Sequence, residues 1–243
     1  MSSASPPTEP RLARRERLIV ALDVPSTADA KALVEKLGPA ACFYKVGLEL
    51  FVTGGYFELV EWLVGRGHKV FADLKMFDIP ETVARAVANL RGRGITFATV
   101  HGNQSMMRAA AAEKGDLKIL AVTVLTSLDR GDLDDLGFSC DVERLVLSRA
   151  RRAMEAGCDG VVSSGLEAQR LKTEFHDRLV LVVPGIRPVD NQPADDQKRT
   201  VDVAQAFANG ADYIVVGRPI RQAADPRAAA EAIQQTIAAI FPA

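Results

Sequence analysis

Cysteine is scarce in this chain: Cys42, Cys140 and Cys158 lie far apart, with no CxxC spacing and an odd total. That pattern excludes a disulfide framework, argues against a sulfur-held metal, and suits free buried thiols in a reducing compartment, so a cytoplasmic protein is expected. Neither charge sign dominates. With 30 basic and 31 acidic side chains, no surface is built to coat a polyanion, and neither nucleic acid nor an anionic membrane is an expected partner. Long apolar runs are missing too; none approaches the roughly 20 residues of a membrane helix. Residues 1–17 open on a Ser/Pro-rich piece followed by Arg-Leu-Ala-Arg-Arg-Glu-Arg. Lacking the apolar core of a secretory signal, this segment reads as a flexible arm. Aromatic residues are few, and the single tryptophan, Trp62, is read as packing on the apolar stripe of its helix.

What is present is a strong alternation. Apolar, β-prone runs recur at Leu18 to Asp23, Phe43 to Val46, Lys69 to Leu74, Ile95 to Val100, Leu117 to Leu125, Gly160 to Ser163, Leu179 to Val183 and Tyr213 to Val216. Between them come stretches of helical periodicity, among them Ala28 to Leu37, Tyr56 to Arg66, Glu81 to Arg91, Val142 to Ala156 and Pro226 to Ile240. Nearly continuous apolar strands belong to parallel sheets covered on both faces. Eight such units in 243 residues predict an α/β fold, a (β/α)8 TIM barrel over residues 18–243, with a doubly wound open sheet as the fallback. The placement of polar residues favours the barrel, because nearly every strand ends in a chemically useful group. These ends are Asp23, Lys45, Asp73 with Lys75, His101, Thr126, Ser163 with Ser164, Arg187, and Gly217 with Arg218. In a barrel they converge at one mouth.

The most informative stretch is Phe71-Ala-Asp73-Leu-Lys75-Met-Phe-Asp78-Ile-Pro80. Residues two apart on a strand share a face, so Asp73 and Lys75 are expected to project together, with Asp78 following in the turn that Pro80 helps to open. Gathering three charges in one small volume costs desolvation, which proteins accept where chemistry needs tuned charge. The plainer alternative is a solvated surface turn, and the buried character of Val70, Phe71, Ala72 and Leu74 argues against it. Lys45 has its own plain alternative, a strand-end lysine reaching solvent.

A second signal lies after strands seven and eight, where barrels commonly hold phosphate. Pro184-Gly-Ile-Arg187-Pro follows the seventh run and Val216-Gly217-Arg218-Pro the eighth. Glycine lets backbone approach an anion closely, and arginine grips phosphate oxygens with two parallel hydrogen bonds. The polar stretch from Asp190 to Arg199 is long for a barrel connection and reads either as a lid or as a variable insertion. His101 stands without a second metal ligand at suitable spacing, so it is read as a rim residue rather than a metal ligand or general base.

Taken together, these motifs resemble the orotidine 5'-monophosphate decarboxylase family. The resemblance spans Leu18 to about Pro226 and rests on Ala21-Leu-Asp23-Val, Tyr44-Lys45-Val-Gly-Leu-Glu-Leu, Asp73-Leu-Lys75-Met-Phe-Asp78-Ile-Pro-Glu-Thr82, Val122-Thr-Val-Leu-Thr126-Ser, Pro184-Gly-Ile-Arg187-Pro, Asp196-Gln197-Lys-Arg and Val216-Gly217-Arg218-Pro, in the family's order. One departure is visible. The family often carries an aromatic residue followed by histidine inside DxKxxD, where this chain has Met76 and Phe77, both spacers.

The resemblance implies conversion of orotidine 5'-monophosphate to uridine 5'-monophosphate and carbon dioxide, with no cofactor and no metal, by a homodimer whose active sites are shared between subunits. It implies Lys75 as proton donor, with Asp73, Lys45 and Asp78 as the other catalytic charges and Asp78 acting from the neighbouring subunit. Asp23 and Lys45 would bind ribose hydroxyls, and Asp73 would lie against the departing carboxylate. Thr82 would add to the neighbour's contribution, Thr126 would meet the pyrimidine, and Arg187, Gln197, Gly217 and Arg218 would hold phosphate. Two other expectations stay open. One is a magnesium-dependent 3-keto-L-gulonate 6-phosphate decarboxylase or hexulose-phosphate synthase, whose site wants a carboxylate on strand two where this chain has Lys45. The other is a non-catalytic phosphosugar-binding barrel, which has no need of alternating charges.

Overall fold

The computed structural model describes residues 12–101, 103–187 and 199–242. Eight parallel strands, β1 (Leu18–Ala21), β2 (Phe43–Gly47), β3 (Lys69–Met76), β4 (Phe97–Val100), β5 (Lys118–Val122), β6 (Gly160–Val162), β7 (Val180–Val183) and β8 (Tyr213–Val216), pair in sequence order. The ring closes where Leu18 of β1 lies opposite Ile214 of β8. The open-sheet fallback is thereby set aside.

Alternation along each strand divides the buried apolar residues between two cores. Outward residues such as Val20, Tyr44, Val46, Val70, Ala98, Ile119, Val161, Leu181 and Ile214 join the layer beneath the helices. Inward residues Ile19, Ala21, Phe43, Phe71, Phe97, Leu120, Val182, Tyr213 and Val215 form a separate core inside the barrel. Aromatic rings fill its lower half: Phe97 lies 5.3 Å from Phe43 and 5.1 Å from Tyr213 between ring centroids, and Phe71 meets Phe97 edge-on at 5.9 Å. Such offset and edge contacts suit aromatic quadrupoles. They make the barrel interior a solid floor.

The covering helices start and stop close to where the periodicity predicts. Thr27–Leu37 is capped by Ser26, whose hydroxyl accepts from Asp29 N–H, and Val142–Glu155 by Asp141 in the same manner. Tyr56–Gly65, Pro80–Leu90 and Pro226–Ile240 likewise fall within a residue or so of expectation. Trp62 is half-buried, as read, with the Arg66 guanidinium 3.9 Å over its ring.

Several expectations need correction. The expected arm boundary at residue 17 does not hold, because Arg14–Arg17 form a 3-10 turn docked across the lower end of the barrel. Leu12 packs against the inner core, and Arg17 stacks 3.8 Å over Phe241 while donating to the Asp212 carbonyl at 3.0 Å. Residues 1–11 lie outside the described residues. Strand β5 ends at Val122 rather than Leu125, because Thr123 turns its hydroxyl to Val162 O and Ser163 and opens a loop. Of the three free thiols, Cys158 alone is fully buried and burial pushes its pKa up to about 12, whereas Cys42 and Cys140 are half-buried. No helix among the described residues is long and apolar enough to cross a membrane.

Candidate active site

The period-two rule that builds the floor also builds the site above it. Two residues beyond inward Ala21 comes Asp23; beyond Phe43, Lys45; beyond Phe71, Asp73; beyond Phe97, Thr99; beyond Val215, Gly217. Four of these, Asp23, Lys45, Asp73 and Gly217, line a cavity of about 330 Å³ at the mouth, floored by Ala21, Phe71, Val122, Val162 and Val215.

On one side the charges alternate. The Lys45 ammonium lies 2.9 Å from Asp23 Oδ1 and 3.5 Å from Asp73 Oδ2, and the Lys75 ammonium lies 2.8 Å from that same Asp73 oxygen. Burial works against charge on Asp73, yet the Lys45 and Lys75 ammoniums, with hydrogen bonds from Lys75 and Thr99, outweigh it and hold the carboxyl below its ordinary 3.8. Burial likewise works against the Lys45 ammonium, and the Asp73 and Asp23 carboxylates more than compensate, raising its pKa. Lys45 and Asp73 thus hold each other ionised. Lys45 is a buried member of this network, not a lysine reaching solvent.

Lys75 reaches its place by a route that simple alternation does not describe. Ala72 lies opposite Ala98, but Met76 lies opposite Val100, so β3 carries extra residues between them and bulges. Within the bulge Lys75 takes φ +46°, in the left-handed region that non-glycine residues seldom occupy. The expected pairing of Lys75 with Asp73 is present, and a distorted strand end produces it.

Asp78 corrects the expectation of three charges in one volume. It is exposed beyond the end of β3, its carboxylate accepts from its own neighbour, Ile79 N–H, at 2.7 Å, and it does not line the cavity. Thr82, half-buried in the first turn of Pro80–Leu90, stays outside the cavity as well. Within one chain the alternating series is Asp23, Lys45, Asp73, Lys75.

The rest of the mouth is polar and cationic. Thr126 and Ser127 line it from the loop after β5, Ser163 from the end of β6, and Arg187, Gly217 and Arg218 from the ends of β7 and β8. A Cβ on Gly217 would sit 3.5 Å from Ala21 and 3.8 Å from Asp23, ordinary contacts, so the glycine leaves open backbone beside the cavity rather than relieving a clash. Gln197 lies outside the described residues, as does most of the stretch from Asp190 to Arg199. Arg199 itself is buried: it pairs with Glu167 at 2.7 Å and donates to the carbonyls of Val124 and Leu125, bracing the loop that carries Thr126. His101 does not line the cavity; its ring meets Phe77, and burial, with Arg149 and Lys75 nearby, lowers its pKa.

Sequence reasoning missed Thr99, Ser127 and Arg221. Arg221 lines the cavity from the same short helix as Arg218, three residues on, a spacing that shares a helix face. Thr99 was legible as the polar residue two beyond Phe97 on an apolar strand. Chemically, the mouth offers a charge-balanced Asp/Lys network at β1 to β3, buried at Lys45 and Asp73 and open to the cavity at Asp23 and Lys75, and a group of arginines at β7 and β8. That arrangement suits a ligand anionic at one end and reacting at the other.

Comparison with known proteins agrees with this arrangement. A family described as "Orotidine 5'-phosphate decarboxylase / HUMPS" matches residues 16–233. The chain is 65% identical to the orotidine 5'-phosphate decarboxylase of Methylococcus capsulatus over 94% of each chain. It is 50% identical to that of Stenotrophomonas maltophilia over 94% of this chain and 95% of the relative. The crystal structure of the orotidine 5'-phosphate decarboxylase from Lactobacillus acidophilus superposes with a TM-score of 0.80 at 37% identity, covering 91% of this chain and 99% of that one.

Proposed function

The chain belongs to the orotidine 5'-phosphate decarboxylase family, and from that footing we propose that its barrel mouth converts orotidine 5'-monophosphate to uridine 5'-monophosphate and carbon dioxide without a cofactor. The observation that carries the reading is the contact of Lys75 with Asp73 at 2.8 Å, in a cavity whose far side is lined by Arg187, Arg218 and Arg221.

Breaking the bond between C6 and its carboxylate leaves the electron pair in an in-plane orbital that the pyrimidine ring delocalises poorly. A fixed ammonium beside C6 stabilises that charge, and Lys75 then gives C6 a proton and regains one from solvent. Asp73 lies against the departing carboxylate. Its repulsion of that group fades as neutral carbon dioxide forms, so the transition state gains relative to the bound substrate. Asp23 and Lys45 meet the ribose hydroxyls and Thr126 the pyrimidine edge. Arg187, Gln197, Gly217 and Arg218 take the phosphate, whose binding energy holds the ring against the lysine. Arg218→Ala is therefore expected to raise KM about 10- to 100-fold, the worth of a charge-assisted bidentate contact, with a smaller effect on kcat in steady-state assays.

The active unit in this reading is a homodimer. Leu48, Phe51, Val52, Phe77 and Ile79 are exposed around the end of β3 and the helix after β2, and an apolar groove of about 450 Å³ runs beside them past Leu74 and Met76. Asp78 and Thr82 belong to the same region. Apolar exposure on this scale marks a partner surface, and a second copy seated there brings Asp78 and Thr82 to its neighbour's mouth. Three free thiols fit a cytoplasmic setting.

Magnesium-dependent chemistry of the kind some barrels perform asks for carboxylates around a hard cation, whereas here the Lys45 ammonium stands between Asp23 and Asp73 at 2.9 and 3.5 Å. A silent phosphosugar binder would gain nothing from an alternating charge network. One assay separates the three readings. Purified protein is expected to bleach the orotidylate absorbance of its substrate at the same rate with and without excess chelator. Loss of activity restored by magnesium would favour the metal enzyme, and no turnover the silent binder.

A further inference from the structure

Thr99 of β4 touches both partners of the central charge pair, yet does not line the cavity. Its side chain is fully buried, its hydroxyl donates to Asp73 Oδ1 at 2.9 Å, and its oxygen accepts from the backbone N–H of Lys75 at 2.9 Å. Each bond has a separate consequence. With Oδ1 of Asp73 fixed by Thr99, Oδ2 is the oxygen left for Lys75 at 2.8 Å and Lys45 at 3.5 Å, so the carboxylate cannot rotate away from its cations. The second bond closes a gap in the sheet. Register between β3 and β4 jumps from Ala72↔Ala98 to Met76↔Val100, leaving the Lys75 amide inside a bulge, where it bonds to the threonine side chain instead of to β4 backbone. Lys75 at φ +46° occupies a conformation that its own Cβ disfavours, and such conformations persist when their surroundings over-determine them.

We infer that Thr99 is a positioning residue for decarboxylation: one hydroxyl group holds the left-handed backbone of Lys75 and the orientation of Asp73, and so sets where the ammonium stands. The inference rests on the proposed reaction for its kinetic consequence and on geometry alone for its structural one. The two parts are tested separately.

Thr99→Val keeps the shape and removes the hydroxyl; Thr99→Ser keeps the hydroxyl and removes the methyl. Misplacing a reacting group by about 1 Å costs on the order of 100-fold, so Thr99→Val is expected to lose about 10- to 100-fold in kcat, with KM and uridine 5'-monophosphate affinity changed by less than about threefold. Thr99→Ser is expected to recover most of the loss. The pH profile supplies a signature that packing alone would not move. Asp73 faces Lys45 from β2, with Asp23 behind it, and Lys75 from β3, with Tyr56 of the helix Tyr56–Gly65 near enough to feel its charge, and these remain in the variant. Losing the Thr99 bond therefore raises the Asp73 pKa only partway, and the acid limb of kcat shifts to higher pH in Thr99→Val while staying in place in Thr99→Ser. Amide hydrogen exchange at Lys75, read without substrate, is expected to accelerate in Thr99→Val and not in Thr99→Ser. An unchanged exchange rate at Lys75 overturns the inference whatever the enzyme's activity. A normal kcat in Thr99→Val, or a loss that serine does not rescue, overturns its catalytic part. Absence of turnover in the unaltered protein would instead count against the proposed reaction.

Discussion

Lys75→Ala is expected to lower the single-turnover rate of decarboxylation by at least about 10,000-fold, the combined scale of a lost general acid and a lost preorganised charge. The fold should survive the change. Asp73 keeps the Lys45 ammonium at 3.5 Å and the Thr99 hydroxyl at 2.9 Å, so its carboxylate is not stranded. Alanine retains a Cβ and so inherits the same backbone conformation. Nucleotide binding should survive too, because Arg187 and Arg218 stand at the ends of β7 and β8, across the ring from β3. Calorimetric affinity for uridine 5'-monophosphate within about tenfold of the unaltered protein, alongside the collapsed rate, would separate the transition-state contribution from ground-state binding. Near-normal turnover would remove Lys75 from the chemistry.

Mixing two inactive variants gives the second large effect. Lys75→Ala subunits supply an intact Asp78, and Asp78→Ala subunits an intact Lys75, so a heterodimer of the two contains one complete site. In a two-fold symmetric dimer, random exchange makes half the dimers mixed and completes half the sites in each, predicting recovery to about a quarter of the unaltered rate from two nearly silent preparations. Subunit exchange verified by mass spectrometry, with no recovered activity, would place Asp78 outside the neighbour's site. Among the described residues of one chain, the Asp78 carboxylate bonds to the Ile79 amide, so this test asks what a second copy brings.

The sequence carried the barrel well where its signals were clean. Strand β8 and the helix Pro226–Ile240 fall at the expected residues because an apolar run ends at Gly217 and the helix opens on Asp225 followed by proline. Boundaries slipped where apolar residues serve something other than the sheet. Ile95 packs in the outer core ahead of β4, and Val124 and Leu125 line the cavity mouth beyond β5. The charged site was legible in the polar residues that end the apolar runs, which brought Asp23, Lys45 and Asp73 to one mouth, and in the period of two that paired Asp73 with Lys75. Its distortion was not, since a bulge usually announces itself by glycine or asparagine and here the left-handed residue is a lysine. Nor could the pattern show that Asp78 leaves the network within one chain, because that depends on where the chain turns after Met76.

That lysine has a consequence for descent as well as for chemistry. Any side chain with a Cβ at φ +46° carries a steric penalty on the order of 1 kcal/mol that glycine escapes. A duplicated copy no longer required to catalyse would gain robustness by drifting to glycine at position 75, so retired barrels of this lineage should withstand heat better than their working cousins.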